Sequence, residues 1–501
     1  MQPNVVIIVV DALRQDRVGA FDGRQLTPNI DDLATESTIF TNAYSTTNTT
    51  DVAVTSIQTG RHPLSHGVVN HGTRVTDQEK STVEQVTQLP EVLSESGYRT
   101  AKFGRPLGRW HRKGFDKYPS SMERRVAFDK RDEDENKSVE QNIGDLLERI
   151  HPALRTIASK LYRQIQTPPK KAEILTKYQN ASDEVVRNFE DFIQESTPFY
   201  TYIHLMDTHA PYEANPGVVE SYLDEFEYRT DVSMRGTGYH SEVFDELIEN
   251  GEYPGIKEKY YLPDGFPTTA ITDAHYDAAV TQADNRIGSI LTLLKENGVY
   301  DDSLIILLSD HGESLTEHGI YHDHHGLYDE SVHVPLIISP PSRVSRKVTE
   351  LVQITDIVPT IESYTDINGI NADGYSLRPV IEEGSSVGRE YVLAEEAHTQ
   401  RRRMIRSEDS KLIYLLSGDT VCRYCDVQHA PEVEFYDIIE DSDETENIVK
   451  NNRSKATKFQ NFGEEKAQEF EKKRPNLNTR KEVMYEDEEE IKDRLEALGY
   501  R

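Results

Sequence analysis

The chain has 501 residues, enough for one large α/β domain with a smaller appendage. Asp and Glu total 88 against 56 Lys and Arg, a formal net charge of −32, which repels phosphate backbones and anionic lipid and argues against nucleic-acid binding as a main role. With 36% hydrophobic residues the chain can still bury a core, so the acidity reads as the surface of a halophilic protein working in concentrated salt.

Met1-Gln-Pro-Asn leads directly into the apolar run Val5–Val10, with no basic region before it and no small-residue cleavage site after it. No apolar stretch approaches the ~18 residues of a membrane span. The expectation is a cytoplasmic protein with no membrane span. Three apolar runs end in chemically capable residues: Val5–Val10 before Asp11, Phe199–Met206 before Asp207 and His209, and Leu304–Leu308 before Ser309, Asp310 and His311. Continuous rather than alternating hydrophobicity predicts strands buried on both faces, hence an α/β fold with a mainly parallel sheet under helices. Ligands bind such sheets beyond the carboxyl ends of the strands, where these polar residues stand.

Between the runs, residues 51–59 read as a short helix closed by Gly60. A helical insertion of charge-rich sequence is expected over about 119–195, broken by Pro168-Pro169, and long loops near the site mouth over about 212–270. Asp273–Asn297 carries a helical stripe of Ala279, Ala283, Ile287, Ile290, Leu291 and Leu294, with Gly298 as its stop. From about Val387 the pattern turns to short strands such as Lys411–Leu416 and Glu434–Ile438, predicting a small antiparallel subdomain. The expected division is a catalytic domain over 1–386, a C-terminal subdomain over 387–470, and a charged tail over 471–501 with a helix at Glu488–Leu498.

Asp11 and the Asp310-His311 pair are the strongest chemical signal. Two strand ends in one sheet converge, and carboxylates with an imidazole make a site for one divalent cation such as Ca, Mg, Mn or Zn. A hydroxyl at the start of the 51–59 helix lies where backbone N–H groups favour an anion, and a neighbouring metal would make it a nucleophile. Taken alone, a threonine there reads first as a helix cap. Five of the 17 histidines, His311, His318, His322, His324 and His325, fall within 15 residues. Such a loop can hold an oxyanion or protonate a leaving group, although some of the five are expected to be merely exposed. Arg105, after the apolar segment Thr100–Phe103, can bind an oxyanion or make a surface ion pair. Cys422, Cys425 and His429 offer three zinc-type ligands without a fourth and stay unassigned.

With these residues in place the chain resembles the sulfatase family of the alkaline phosphatase superfamily. The resemblance is carried by Pro3–Asp16, Thr27-Pro-Asn-Ile-Asp31, Phe40–Tyr44, Thr59-Gly-Arg-His-Pro63, His66-Gly-Val68, Ser309-Asp-His-Gly-Glu313, Glu317-His-Gly319, Leu327–Glu330, Val334–Ile337, Asp356–Thr360, Phe435-Tyr-Asp437 and Glu444-Thr-Glu-Asn447. It implies an alkaline-phosphatase-like three-layer sandwich, hydrolysis of a small-molecule or glycan ester, and Asp11, Thr50, Asp310 and His311 around one metal ion. His209 matches the histidine that meets the substrate oxyanion or leaving group. Arg105 falls where the family often has a lysine. His324 falls near a second lysine, with His322 and His325 permitted by the spacing.

The departures are as informative. The family's cysteine or serine, converted to formylglycine in a Cys/Ser-x-Pro-x-Arg segment, is replaced by Thr50, with Val52 and Val54 for the proline and arginine; its usual second aspartate is Ala12. Threonine cannot become formylglycine and resembles the family's phosphate-side relatives. The expectation is a phosphate or sulfate ester hydrolase working through a covalent Thr50 intermediate. The rivals are a phospho-substituent transferase to a glycan or lipid acceptor and a non-catalytic binding member of the fold.

Overall fold

The computed structural model describes residues 2–105, 107–118, 184–194, 198–210, 212, 214, 216–222, 239–240, 269–315, 317–321, 325–416 and 430–476. Most of the expected insertion, most of the 212–270 loops, Cys422, Cys425, His429 and the expected helix at Glu488–Leu498 lie outside the described residues. Residues 184–193 of the insertion form a helix.

Seven strands make the main sheet: β1 (Asn4–Val10), β2 (Thr38–Tyr44), β3 (Arg99–Gly104), β4 (Phe199–Leu205), β6 (Ser303–Ser309), β8 (Leu336–Ser339) and β9 (Arg346–Gln353). A two-residue ribbon joins β5 (Tyr239–His240) to β7 (Ile320–Tyr321). The sheet order is β3-β4-β1-β6-β8-β2-β9, and every strand runs parallel except β8, which is antiparallel to both β6 and β2. The three apolar runs expected to be strands are therefore neighbours at the centre of the sheet.

Successive residues of β1 feed opposite cores. Val6, Ile8 and Val10 join Ala279, Ala283, Ile287, Ile290 and Leu294 of the helix Thr269–Glu296. Val5, Ile7 and Val9 join Ala53, Val54 and Ile57 of the helix Thr50–Thr59, with Val358 and Ile361 of Ile357–Thr365. Burying each such side chain contributes about 1.5–3 kcal/mol, so both layers are needed to hold a strand this apolar. The result is the helix–sheet–helix sandwich anticipated from the sequence.

The C-terminal part forms a four-stranded antiparallel sheet of β10 (Val392–Glu396), β11 (Arg402–Arg406), β12 (Ser410–Leu415) and β13 (Val433–Asp437). One face packs Ala394, Met404 and Ile413 on Tyr44 and Leu351 of the main sheet. The other packs Leu393, Ile405 and Phe435 on Ala456 and Phe459 of the helix Arg453–Lys473, an element the sequence did not announce. No helix among the described residues is long and apolar enough to cross a membrane.

Gly104 ends β3 with φ +89°, and a Cβ there would lie 1.9 Å from the His204 carbonyl oxygen of β4. Only glycine lets the two strands close this tightly just before Arg105. Gly104→Ala is expected to destabilise the fold by about 2–4 kcal/mol, read as a lowered midpoint in chemical denaturation. An unchanged midpoint would show that the strand end tolerates a side chain.

Candidate active site

Register brings the first two acids together. Val10 pairs with Ser309, so Asp11 and Asp310 leave neighbouring parallel strands side by side, both fully buried. The backbone turns sharply after Asp11: Ala12 has φ +60°, its N–H donates to Asp310 Oδ1 (3.2 Å), and its carbonyl accepts from the Tyr276 hydroxyl (2.6 Å). A non-glycine residue in the left-handed region costs on the order of 1 kcal/mol, held here by those two bonds.

Around Asp11 the two carboxylate oxygens have different company. Oδ2 lies 3.1 Å from the Arg105 guanidinium, 3.0 Å from His204 Nε2 and 3.5 Å from Thr50 Oγ1. Among the described residues Oδ1 has no hydrogen-bond partner, nor does Asp310 Oδ2. His311 Nε2 stands 3.7 Å from the first and 3.8 Å from the second. His311 Nδ1 faces the Gly312 carbonyl at 2.8 Å, and a carbonyl only accepts, so Nδ1 carries a proton and Nε2 is the ring nitrogen that faces the two bare oxygens. Burial pushes the Asp11 carboxyl up, but the charges of His209 and Arg105 and the His204 bond outweigh it and hold it well below the usual range. Burial and the facing Asp11 charge raise Asp310.

Thr50 is the first residue of its helix, after the extended Thr49, and neither makes a side-chain cap. The cap reading of Thr50 therefore fails: its hydroxyl turns inward, 3.2 Å from His311 Nε2. Arg105 also takes the buried alternative, on Asp11 rather than in a surface pair. His209, half-buried, directs Nδ1 to the Ala210 carbonyl; burial lowers its pKa to about 4 although the Asp11 charge pulls it upward. Its loop is anchored by Asp207, which meets Arg286 and accepts from Gln282 Nε2 (3.0 Å), both on the long helix. His325 is buried, and the carbonyl of its neighbour Gly326 accepts from Asn48 Nδ2 (2.9 Å), two residues before Thr50. His322 and His324 lie outside the described residues.

Three groups escaped the sequence reading. His204 sits in β4 against Asp11; its signal is an imidazole inside an apolar strand. Asp51, next to Thr50, holds His71 Nδ1 at 2.8 Å and His111 Nε2 at 3.6 Å, and accepts from the Gly72 N–H at 2.8 Å. Lys102 is a buried cation within an apolar strand.

A family model described as Sulfatase matches residues 3–367, and one described as N-sulphoglucosamine sulphohydrolase, C-terminal, matches residues 316–469. The chain belongs to the sulfatase family. This member is 25% identical to an arylsulfatase of Clostridium perfringens over 90% of both chains. It is 22% identical to an N-acetylglucosamine-6-O-sulfatase of Bacteroides thetaiotaomicron over 89% of this chain and 82% of that one. A solved phosphonate monoester hydrolase of Agrobacterium radiobacter shares the fold, with a TM-score of 0.62 at 19% identity over 94% and 95% of the two chains.

A divalent cation fits the residues present in this chain. Asp11 and Asp310 offer bare, buried oxygens, and His311 offers Nε2, which faces them. Asp11, His204 and Asp310 also present ligand atoms within 4.8 Å of one another. His204, however, lies on the Oδ2 side of Asp11, which Arg105 shares, so the Oδ1 side with His311 is the better-suited position for a cation.

Two ionised carboxylates at such range repel by about 3 kcal/mol at an effective dielectric of ~20. Asp310→Asn is therefore expected to stabilise the chelator-treated protein by about 1–3 kcal/mol while abolishing the rise in melting temperature on adding Mn²⁺ or Ca²⁺. Melting curves with and without cation check both halves; a retained cation response in the variant contradicts the assignment.

Proposed function

We propose that this protein is a metal-dependent hydrolase of phosphate or sulfate esters that works through a covalent intermediate on Thr50. The observation that carries the reading is the inward placement of the Thr50 hydroxyl, between His311 Nε2 and Asp11 Oδ2, at a helix N-terminus where an anion is favoured. The arylsulfatase, the N-acetylglucosamine-6-O-sulfatase and the phosphonate monoester hydrolase named above support an ester hydrolase of this class, with a small molecule or glycan carrying the ester.

Asp11 Oδ1, Asp310 Oδ2 and His311 Nε2 would hold one divalent cation, which when bound offsets the charge of the paired carboxylates and lowers the pKa of an adjoining hydroxyl. Thr50 Oγ1 attacks the phosphorus or sulfur as the bond to the ester oxygen breaks, its proton leaving towards Asp11 Oδ2, which accepts from that hydroxyl at 3.5 Å. Arg105, His209 and the histidines of the 322–325 loop are the groups assigned to the oxyanion and to protonation of the leaving oxygen. The His209 ring is neutral at neutral pH and its Nδ1 proton is directed to the Ala210 carbonyl, so Nε2 presents a lone pair and donates to the leaving oxygen only once it has been protonated. A threonine ester has no second hydroxyl whose collapse could expel the group. Water must therefore attack the central atom, releasing phosphate or sulfate and returning the proton to Thr50. That route is easier at phosphorus, which makes a phosphoester the first substrate to try.

Matched nitrophenyl sulfate, phosphate monoester and phosphodiester test the reading in high KCl. Thr50→Ala is expected to lower kcat on the preferred ester by at least about 10³-fold with KM little changed. Turnover surviving in the variant would place the nucleophile elsewhere.

A further inference from the structure

His318, Glu330 and Glu444 form a second cluster, apart from the two acids at the strand ends. Their ligand atoms lie within 4.8 Å of one another. His318 Nε2 and Glu330 Oε2 are buried, and neither has a hydrogen bond among the described residues. The two atoms stand 3.4 Å apart, beyond the ~2.7–2.9 Å of a charge-assisted bond, on side chains only 10% and 13% exposed. Glu444 is buried; its Oε2 accepts from the Asp329 N–H at 2.7 Å, and its Oε1 meets Lys411 Nζ at 2.7 Å. A carboxylate offers about four lone pairs, so Glu444 keeps capacity for a further partner.

Each of the three is held by groups outside the cluster. The His318 ring stacks on Tyr328, with centroids 3.6 Å and planes 7° apart, and the Tyr328 hydroxyl donates to Glu434 at 2.7 Å. The Glu330 carbonyl accepts at 2.9 Å from the N–H of Glu313, two residues after His311. His318 and Glu444 both lie in the left-handed region, with φ +55° and +54°, so two unfavourable backbone conformations serve one cluster.

Negative charge is in excess here. Asp329, Glu330 and Glu444 are answered by Lys411, 2.7 Å from Asp329 and from Glu444, and by Arg406, 3.8 Å from Asp329. Burial opposes a charge on the His318 ring, yet Glu330 and Glu444 outweigh it and raise its pKa. Burial pushes the Glu444 carboxyl up; Lys411 opposes this, and the Asp329 and Glu330 charges add to the rise. Both shifts mark a place where a further cation is favoured.

We propose that His318, Glu330 and Glu444 bind a second divalent ion, of the Zn²⁺ type, with a structural role. One imidazole and two carboxylates form a donor set that zinc takes, with water completing four ligands. Ca²⁺ takes 6–8 oxygens, and Mn²⁺ stands low in the order of affinities. With Lys411 sharing Glu444, the cluster lacks the oxygens and the charge that those two ions need. The zinc-type ion closes the segment from His318 to Glu330 at both ends and fastens it to the chain after β13. That segment carries His325, and its Gly326 carbonyl accepts from Asn48, two residues before Thr50. The ion thus positions the segment beside the candidate active site, whichever side chain there is the nucleophile.

Asp310→Asn disables the first cation position and leaves these three residues in place, and Cys422→Ser with Cys425→Ser keeps thiolates out of the titration. The chelator-treated variant is titrated with Co²⁺, a spectroscopic stand-in for Zn²⁺. Its d–d absorption is expected to saturate at one equivalent, to vanish on adding Zn²⁺, and to survive equal Ca²⁺ or Mn²⁺. His318→Gln or Glu330→Gln in the same background is expected to weaken Co²⁺ binding by at least about tenfold. A second arm needs no variant: anomalous diffraction at the zinc edge, from wild-type crystals soaked in Zn²⁺, is expected to place an ion between His318, Glu330 and Glu444. No saturable equivalent, an equivalent indifferent to His318→Gln, or soaked crystals without a peak at these residues overturns the proposal.

Discussion

Asp11 and Asp310 end adjacent parallel strands, with Val10 opposite Ser309, and both carboxylates are cut off from water. A buried carboxylate tolerates a second one close by only where positive charge or donated hydrogen bonds are supplied in return. The surrounding chain supplies them unevenly. Arg105 and His204 serve Asp11 Oδ2, backbone N–H groups of Ala12 and His311 serve Asp310 Oδ1, and the two inner oxygens are left bare. The left-handed turn at Ala12, the glycine closing β3 and the burial of Thr50 all follow from gathering groups around this pair. A divalent cation would offset the charge that remains on the pair.

The C-terminal sheet belongs to the same economy of charge. Lys411 in β12 is fully buried, with Nζ 2.7 Å from both Asp329 and Glu444, and Glu444 accepts from the Asp329 N–H at 2.7 Å. Tyr328 donates to Glu434 of β13 at 2.7 Å, and Arg402 of β11 meets the other Glu434 oxygen at 2.5 Å. Segment 327–330, directly after the histidine-rich loop, is thereby tied to the small sheet. Hydrophobic contact through Tyr44, Leu327 and Met404 brings the two sheets together. The directional ion pairs set one register between them, and removing one partner would leave an uncompensated buried charge.

Much of this was legible in the sequence. Continuous apolar runs over Val5–Val10, Phe199–Met206 and Leu304–Leu308 have no amphipathic alternative, so both their strand character and their central place follow from hydrophobicity. The polar residues directly after them then fall at one edge of the sheet. The stripe from Ala279 to Leu294 matches the helical period and belongs to the long helix. What stayed hidden depends on three-dimensional company. His204 and Lys102 are single polar residues within strands, and only register shows that the first meets Asp11. Arg453–Lys473 was hidden because its buried stripe of Ala456, Phe459, Gly463 and Ala467 is small and set among charges. Gly463 matters because a Cβ there would lie 2.6 Å from Ile405, a neighbour that sequence cannot supply. The single antiparallel strand β8 is likewise a matter of connection rather than composition.

Mass mapping of the protein quenched in acid during turnover of a slow phosphoester or sulfate ester measures the central claim most directly. A covalent threonine mechanism predicts a phosphoryl or sulfuryl group on the peptide containing Thr50, localised to that residue and absent from Thr50→Ala. A wild-type protein that turns the ester over with every peptide unmodified, or with the group on another side chain, would contradict it.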